Sequence, residues 1–376
     1  MKKRIYLTRH GEAGPVEGRT ICCGRHPDEP LNENGRRQAE QLAPCLDGIL
    51  TEQIVCSTQR RSRETGYILS GGKIPLLQRD DLCEMGMGVW EGMNFDEIRR
   101  RYPALYEGRA LDHSLQPPGG ESYEAASRRM QSAVKQILEA TEAQEEVVIT
   151  SHCSSNRALL CSLLGIPFSE NRNLPQPHAC INVLEVSEDG IRPLAVGMAP
   201  DALPDEKEIR DLLEQFQVSS EIREHTEAVA ELAMELYEPL KQAGICLNRE
   251  VVRCCALLHD MCRSQRHHEK AAAMELRKRG YLLAARVIEL HHGGAFSRRF
   301  DEAQLLFLAD KMVDGARRVT IEERFARSAE KCKSPQAVAA HAGRLLQTRQ
   351  IDREYQGLIY GIIRQAEGKG KEQEVS

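Results

Sequence analysis

The hydrophobic pattern in the first half of the chain alternates short apolar runs with amphipathic segments. The runs are rich in β-branched residues and too short for helices, which predicts strands over residues 5–8, 53–56, 74–77, 147–150, 181–186 and 191–196. The intervening segments predict helices over residues 33–50, 60–69 and 156–164, and one from the 117–122 loop to about residue 141. Strands that alternate with helices in this way predict an α/β layered domain.

The pattern changes between about residues 197 and 205, where two prolines and two acidic residues leave no periodic apolar face. This composition is typical of a linker. From residue 206 onward no convincing strand is present, and helices are predicted over residues 206–216, 220–243, 249–259, 268–279, 281–291, 302–317, 321–330, 335–347 and 353–365. We therefore predict a first domain at 1–197, a linker and connecting helix at 198–217, and an all-α second domain at 218–370.

Composition agrees with two soluble domains. A chain of 376 residues exceeds what one hydrophobic core usually supports. The net charge of −5 argues against a dedicated nucleic-acid partner. No apolar run is long enough for a bilayer and the start does not have the pattern of a signal peptide, so we expect a cytoplasmic protein without a membrane partner. The 13 cysteines are odd in number and lack C-x-x-C spacing, which indicates reduced thiols.

Polar side chains follow three of the predicted strands. Arg9 and His10 come after the first strand, the segment 57–61 after the second, and His152 after the strand at 147–150. In open α/β sheets the ligand lies beyond the carboxyl ends of the strands, so these side chains could converge. Arginine can bind phosphate oxygens through its planar fork, and a neutral imidazole nitrogen can attack phosphorus. The pattern therefore indicates phosphoryl-transfer chemistry.

The sequence around these positions resembles the histidine phosphatase superfamily, also called phosphoglycerate mutase-like, over about residues 1–195. The resemblance is carried by Arg9-His10-Gly11-Glu12, Gly24-x-x-x-Asp28-x-Pro30-Leu31, Ser57-Thr58-Gln59-Arg60-Arg61, Glu84 ahead of Gly88-x-Trp90-Glu91-Gly92, Pro118-Gly119-Gly120-Glu121-Ser122, and Ser151-His152. It implies a three-layer α/β fold and a reaction that needs no cofactor. By this resemblance His10 is the phosphorylated nucleophile, the phosphate pocket is lined by Arg9, Arg61 and His152, and Glu84 donates a proton to the leaving oxygen.

A mutase of the same superfamily is the nearest alternative for the first domain. The segment 13–17 lacks the asparagine that often follows the Arg-His-Gly motif in the mutases, and the domain is compact. These features look more like the small broad-specificity phosphatases, including the α-ribazole phosphate phosphatases. The resemblance therefore favours hydrolysis of a small phosphorylated metabolite.

Histidines and aspartates in the second domain occupy unusually apolar surroundings. His259 and Asp260 end the apolar segment 251–258, and Asp310 ends the apolar segment 305–309. A His-Asp pair at the end of a buried helix is costly unless it binds something. Imidazoles and carboxylates without cysteine suit iron, manganese or a similar divalent ion.

This region, about residues 218–318, resembles the HD phosphohydrolase superfamily, whose ligand order of His, His-Asp and Asp is matched by His225, His259, Asp260 and Asp310. His268 and His291 fit a subgroup that binds two metal ions and look like the diadenosine tetraphosphate hydrolase branch, although His267 and His292 could take their places. The resemblance implies one or two divalent ions that activate water for attack on phosphorus, with Asp260 bridging or anchoring metal and Arg263 as a cation near phosphate. Beyond residue 318 no motif is present, so packing or dimerisation is the expected role of the C-terminal helices.

Together the two resemblances imply a bifunctional phosphohydrolase that acts on small phosphorylated metabolites or nucleotides. Two alternatives stay open. The first domain could be a mutase-like phosphotransferase, or the second could be a nucleotide sensor that controls the first. Four matching metal ligands favour bound metal but do not separate catalysis from sensing.

Overall fold

The computed structural model describes residues 3–14, 21–47, 49, 51–141, 144–297 and 299–373. The chain divides into two compact units. The first unit comprises Met1–Ala202 with Arg277–Gly280, and the second comprises Leu203–Leu276 with Tyr281–Ser376.

The first unit is built on a mixed six-stranded sheet. Its elements are β1 (Lys3–Arg9), α1 (Glu33–Leu46), β2 (Ile54–Ser57), α2 (Arg60–Leu69), β3 (Leu76–Arg79), α3 (Phe95–Arg101), α4 (Pro103–Leu111), α5 (Tyr123–Ala140), β4 (Glu146–Ser151), α6 (Cys153–Leu164), β5 (Ile181–Ser187) and β6 (Gly190–Met198). The strand order is β3-β2-β4-β1-β5-β6, with the first four strands parallel and the last two antiparallel to their neighbours.

The two central strands position the candidate site. Most residues of β1 and β4 are buried in unbroken runs, as strands covered on both faces should be. β1 pairs in parallel with β4 along its length, with Arg4 opposite Glu146 and Arg9 opposite Ser151. The carboxyl ends of the two strands therefore lie side by side. The prediction of a three-layer α/β domain is confirmed.

Several local predictions for the first unit were inexact. The predicted strand at 74–77 is Leu76–Arg79, and the predicted helix at 33–50 ends at Leu46. The helix predicted from residue 156 begins at Cys153. Helices α3 and α4 were missed because Pro103 and a run of charged residues obscure the apolar spacing between residues 95 and 111.

The second unit is almost wholly helical. Its elements are α7 (Glu206–Gln215), α8 (Ser220–Gln242), α9 (Arg249–Leu258), α10 (His268–Lys278), α11 (Leu282–Glu289), α12 (Glu302–Lys311), β7 (Val313–Asp314), β8 (Arg317–Arg318), α13 (Ile321–Ala329) and α14 (Pro335–Gln373). No helix in the described part of the chain is both long and apolar enough to cross a membrane.

Two features of the second unit differ from the prediction. The helix predicted over 302–317 ends at Lys311, and the chain continues into the two-residue strands β7 and β8. Gly315 occupies the turn of this hairpin with a φ of 60°, a conformation that favours glycine. The helices predicted at 335–347 and 353–365 form the single helix α14.

Candidate active site and metal centre

His10 and His152 lie next to each other because they follow neighbouring parallel strands. His10 comes directly after β1, and His152 comes directly after β4 as the N-cap residue of α6. Their ring centroids are 5.0 Å apart, and both side chains are buried. The structure therefore brings together two histidines that are more than a hundred residues apart in the sequence.

The hydrogen bonding of His10 leaves one ring nitrogen available for attack. Its Nδ1 lies 2.6 Å from the carbonyl oxygen of Gly11, and a carbonyl can only accept, so Nδ1 carries the proton. Nε2 then holds the lone pair. Burial lowers the pKa of His10 well below its usual value, and the nearby His152, Arg61 and Arg9 lower it further. A neutral imidazole with a free Nε2 lone pair is the form that attacks phosphorus.

Two guanidinium groups are held at the same end of the sheet. Arg61, in the first turn of α2, is almost fully buried and donates from Nη2 to the carbonyl oxygen of Gly24 over 2.8 Å. Arg9 donates from Nη1 to the carbonyl oxygen of Gln176 over 2.5 Å. Both guanidiniums act on His10 electrostatically, so they could stabilise the charge of a phosphoryl group there.

His178 is a neighbour of the site that the sequence analysis missed. Its ring centroid lies 5.8 Å from that of His10, and its Nε2 accepts a hydrogen bond from Arg9 Nη2 at 2.6 Å. His178 lies in the loop before β5, where no motif or periodic pattern marks it. Only the fold could reveal its position.

His152 is fully buried, yet neither of its ring nitrogens forms a hydrogen bond within the described part of the chain. Burial lowers its pKa well below the usual value, and Arg61 and Arg9 lower it further. Buried polar atoms normally have a partner, so those that lack one in a protein-only structure often bind water or a ligand. A phosphoryl oxygen could accept a hydrogen bond from this imidazole.

The Glu84 carboxylate is fixed against the start of α6. Its Oε1 accepts hydrogen bonds from the backbone N–H groups of Met85 and Ser155, both at 2.9 Å, and its Oε2 accepts one from Ser154 at 3.1 Å. These contacts hold the carboxyl group beside the helix that begins after His152.

A cavity of about 390 Å³ adjoins this site through Ser154, whose backbone N–H also binds Glu84. No carboxylate is present among its described lining residues. Aromatic side chains and cations dominate instead; they are Trp90, Phe95, Tyr106, Tyr123, Arg109, Arg157 and Arg172. Helices α3 and α4 supply three of these residues, so the part of the fold that was not predicted also shapes the cavity. Of the segment 13–17, which lacks the mutase asparagine, residues 15–17 fall outside the described part of the chain.

In the second unit, all six predicted metal ligands converge around Asp260. Its Oδ2 lies 3.8 Å from His225 Nε2 and 3.7 Å from His259 Nε2, and its Oδ1 lies 3.0 Å from His268 Nε2 and 3.7 Å from His291 Nε2. Asp310 Oδ1 lies 3.3 Å from His225 Nε2 and 3.7 Å from His259 Nε2. The Asp260 carboxylate thus faces two groups of histidines at once.

Backbone carbonyls orient three of these imidazoles. His225, His259 and His291 each place Nδ1 against a carbonyl oxygen, at 2.9 Å from Gly315, 2.8 Å from Ala256 and 2.6 Å from Ile288. The Nδ1–H therefore donates to the backbone, and Nε2 is the ring nitrogen that faces the carboxylates. This second layer of hydrogen bonds is typical of histidines that ligate metal.

The buried carboxylates are balanced by cations. Lys311 pairs with Asp310, and Arg263 pairs with Asp260. Burial alone would raise the pKa of Asp310, but Lys311 and His225 hold it well below its usual value, so the carboxylate is charged. Burial lowers the pKa of His259 to about 4, which keeps that imidazole neutral and able to act as a ligand.

The donor set fits one or two divalent ions. Four buried atoms of the cluster make no hydrogen bond within the described part of the chain: His259 Nε2, Asp260 Oδ1, His268 Nε2 and His291 Nε2. Two groups have ligand atoms within 4.8 Å of one another, namely His225, His259 and Asp310, and His268, His291 and His292. Of the two alternative ligands, His292 lies in the same group as His291. The His267 side chain is 63% exposed and belongs to neither group.

The fold and the buried pair of histidines at its strand ends are typical of a class of α/β domains that transfer phosphoryl groups. Comparison with family models places the chain more narrowly. The model described as the histidine phosphatase superfamily (branch 1) matches residues 5–198, just over half of the chain, and the HD domain model matches residues 222–313. The chain belongs to the histidine phosphatase superfamily and carries an HD domain after it. Both predicted resemblances are confirmed.

Individual relatives match the first unit. Phosphoserine phosphatase 1 of Hydrogenobacter thermophilus is 27% identical over 192 residues, which cover 49% of this chain and 87% of the relative. Adenosylcobalamin/alpha-ribazole phosphatase of Escherichia coli is 25% identical over 189 residues, 49% of this chain and 91% of the relative. The solved structure of Bacillus stearothermophilus YhfR is 29% identical and covers 53% of this chain and 98% of that structure, with a TM-score of 0.48. The two curated relatives are named phosphatases, which supports a phosphoric ester hydrolase.

Proposed function

We propose that the first unit hydrolyses phosphomonoesters through a phosphohistidine formed on His10. The observation that carries the proposal is the buried, neutral His10, whose Nε2 lone pair is available beside Arg61 and His152. The bond from phosphorus to the ester oxygen breaks as the bond to Nε2 forms, and water then releases phosphate. Arg9, Arg61 and His152 stabilise the phosphoryl oxygens, and Glu84 protonates the leaving oxygen.

The cavity beside Ser154 supports a substrate class. Three arginines without an opposing carboxylate in the lining favour a leaving group that carries a further negative charge. The aromatic side chains favour an apolar or planar portion in the same molecule. We infer a small phosphorylated metabolite that has both features. A phosphatase is preferred over a mutase because the curated relatives are named phosphatases.

For the second unit, we propose a metal-dependent phosphohydrolase that acts on a nucleotide or another phosphoester. The convergence of six ligand residues with four buried atoms that make no hydrogen bond supports it. His225, His259, Asp260 and Asp310 would hold one ion, and His268, His291 and Asp260 a second. Iron or manganese suits this nitrogen and oxygen set, and such an ion supplies Lewis acidity and an activated water. Sensing without catalysis is the alternative. We further propose domain boundaries at 1–197 and 218–370.

The phosphomonoesterase activity of the full chain is expected to be insensitive to chelation, because the His10 pocket uses only side chains. The measurement is the hydrolysis rate of a panel of phosphomonoesters before and after treatment with EDTA. Metal content is determined on the same samples, so that removal from the second unit is verified. A proportional loss of activity and metal would contradict a cofactor-free mechanism.

The stability of the first unit is expected to fall as the pH drops below about 6.5, the pKa of an unfolded histidine. Burial lowers the folded-state pKa of His10 and His152, so the unfolded state binds more protons in this range. Each histidine can contribute a slope of up to about 1.4 kcal/mol per pH unit until its folded pKa is reached.

The fluorescence of Trp90, the only tryptophan in the chain, can follow denaturant unfolding in phosphate-free buffer between pH 7.5 and 5.5. In His152→Asn the free energy of unfolding should change less steeply with pH than in wild type. His26→Asn serves as the control, because His26 is exposed. If the free energy of unfolding depends on pH equally in wild type and His152→Asn, burial of the His152 ring does not contribute to the pH dependence of stability.

His268→Asn is expected to lose the ion of the second group and to keep that of the first, because His268 belongs to the group with His291 and His292 and lies 3.0 Å from Asp260 Oδ1. The adjacent His267 supplies a matched control: its exposed side chain lies outside the cluster, so His267→Asn should keep the wild-type metal content. Asparagine also tolerates the φ of 55° at that position. Elemental analysis of both variants makes the comparison. If His267→Asn loses metal and His268→Asn does not, His267 is the ligand in place of His268.

A further inference from the structure

A second cavity of about 390 Å³ lies in the HD-bearing unit, directly beside the metal-ligand cluster. Asp310 and His292 of the cluster form part of its lining. Much of the remaining lining comes from α13 and α14, which begin after residue 313, where the HD family match ends. Packing or dimerisation was the expected role of these helices, yet they face the candidate catalytic centre.

The cavity has a strongly cationic lining. Five cationic side chains face it, against Asp310 as the one carboxylate among the described lining residues: Arg263, Lys311, Arg324, Lys331 and Arg344. Three of the five pair with carboxylates nearby, Arg263 with Asp260, Lys311 with Asp310, and Arg324 with Asp314. Lys331 helps to lower the pKa of Asp314, but neither its side chain nor that of Arg344 forms a hydrogen bond or a close ion pair within the described part of the chain. Like charges that converge on one space repel each other unless an anion joins them.

Specific contacts fix α13 and α14 against this space. The hairpin that follows α12 presents Asp314, whose carboxylate accepts hydrogen bonds from Arg324 at 2.6 Å and Arg327 at 2.8 Å. Phe325 packs edge-on against His341 of α14, with ring centroids 5.1 Å apart, and His341 Nε2 lies 2.8 Å from Ser328 Oγ. The two helices are thereby held to the end of α12, which carries Asp310.

We propose that Lys331 and Arg344 bind a second anionic group of the phosphoester whose reacting phosphate lies at the metal-ligand cluster. The inference rests on the proposed hydrolase function of this unit and adds the residues that select its substrate. A ligand with one phosphate at the cluster and another beyond it would neutralise both the lysine and the arginine. The ligands selected are therefore di- or polyphosphate esters in preference to simple monoesters.

Pyrophosphate and inorganic phosphate serve as probes, titrated calorimetrically into the full-length protein with and without Mn²⁺. Wild type should bind pyrophosphate more tightly than phosphate. Lys331→Ala and Arg344→Ala should each weaken pyrophosphate binding roughly three- to tenfold, and the double variant roughly ten- to a hundredfold. Phosphate affinity should change by less than about twofold. The pocket of the first unit contributes equally to all proteins, so differences between variants report this cavity.

Arg353→Ala is the matched control, since Arg353 is an exposed arginine of α14 outside the cavity lining. It should retain wild-type affinity for both probes. Equal pyrophosphate affinity in wild type and the double variant would overturn the inference, as would an equal loss in Arg353→Ala. Metal content separates this failure from failure of the hydrolase proposal. If the double variant holds stoichiometric metal and binds pyrophosphate as tightly as wild type, only the proposed anion subsite is ruled out. The metal-centre proposal is then unaffected.

Discussion

Replacement of His10 by alanine is expected to lower phosphomonoesterase turnover by at least about 10⁴-fold. Loss of the nucleophile in enzymes with covalent intermediates commonly costs this much or more. The remaining groups, Arg9, Arg61 and His152, can still bind phosphate, so the Michaelis constant should change far less than turnover. The variant removes the bond from His10 to phosphorus, which forms only in the chemical step and not on substrate binding.

The measurement pairs steady-state kinetics with trapping of the intermediate. Wild type, quenched in base during turnover, should carry an acid-labile phosphate on the peptide that contains His10, and His10→Ala should carry none. Asp260→Ala, altered only in the other unit, is the control and should form the phosphoenzyme normally. Undiminished turnover by His10→Ala would remove the phosphohistidine assignment.

Replacement of Asp260 by alanine is expected to strip the second unit of metal and of any hydrolase activity. Asp260 is the residue that faces both histidine groups, so its loss removes a ligand and a negative charge from each. Loss of even a second-layer partner costs roughly 10- to 100-fold in metal affinity, so loss of a shared ligand should exceed about 100-fold.

Elemental analysis of protein produced with iron and manganese available makes the test. Asp211→Ala is the control, because Asp211 is an exposed aspartate of α7 in the same unit. Wild type without stoichiometric metal would contradict the metal-centre proposal. The phosphatase rate of Asp260→Ala discriminates further: an unchanged rate favours two independent activities, and an altered rate favours a sensor that controls the first unit.

The motif-bearing parts of both sites were predictable because their residues follow recognisable strands or helices. His10 and His152 could be paired from sequence because each ends an apolar strand, and parallel strands share a carboxyl edge. His259, Asp260 and Asp310 could be predicted because they end or interrupt apolar helical segments, whereas His225, His268 and His291 were expected as ligands from the resemblance to the HD superfamily.

The residues that were missed have no such local signal. His178 lies in a loop, and Arg109 belongs to a helix whose apolar spacing is obscured. Lys331 and Arg344 look like ordinary surface cations in the sequence, and the hairpin around Gly315 lets the chain after it return to Asp310, with Lys331 just after α13 and Arg344 on α14. Proximity created by tertiary packing leaves no periodicity to detect, so these positions required the structure.

The strand order also determines when the first site can form during synthesis. Among the six strands of this sheet β1 is made first, but its two neighbours are β4 and β5, which begin at Glu146 and Ile181. The apolar strand β1 therefore leaves the ribosome well before either pairing partner exists. Its pairing depends on contacts between residues that are distant in the sequence. Until then it presents unpaired backbone groups that invite aggregation. Of the six strands in this sheet, the one that leads into His10 therefore waits longest for a pairing partner.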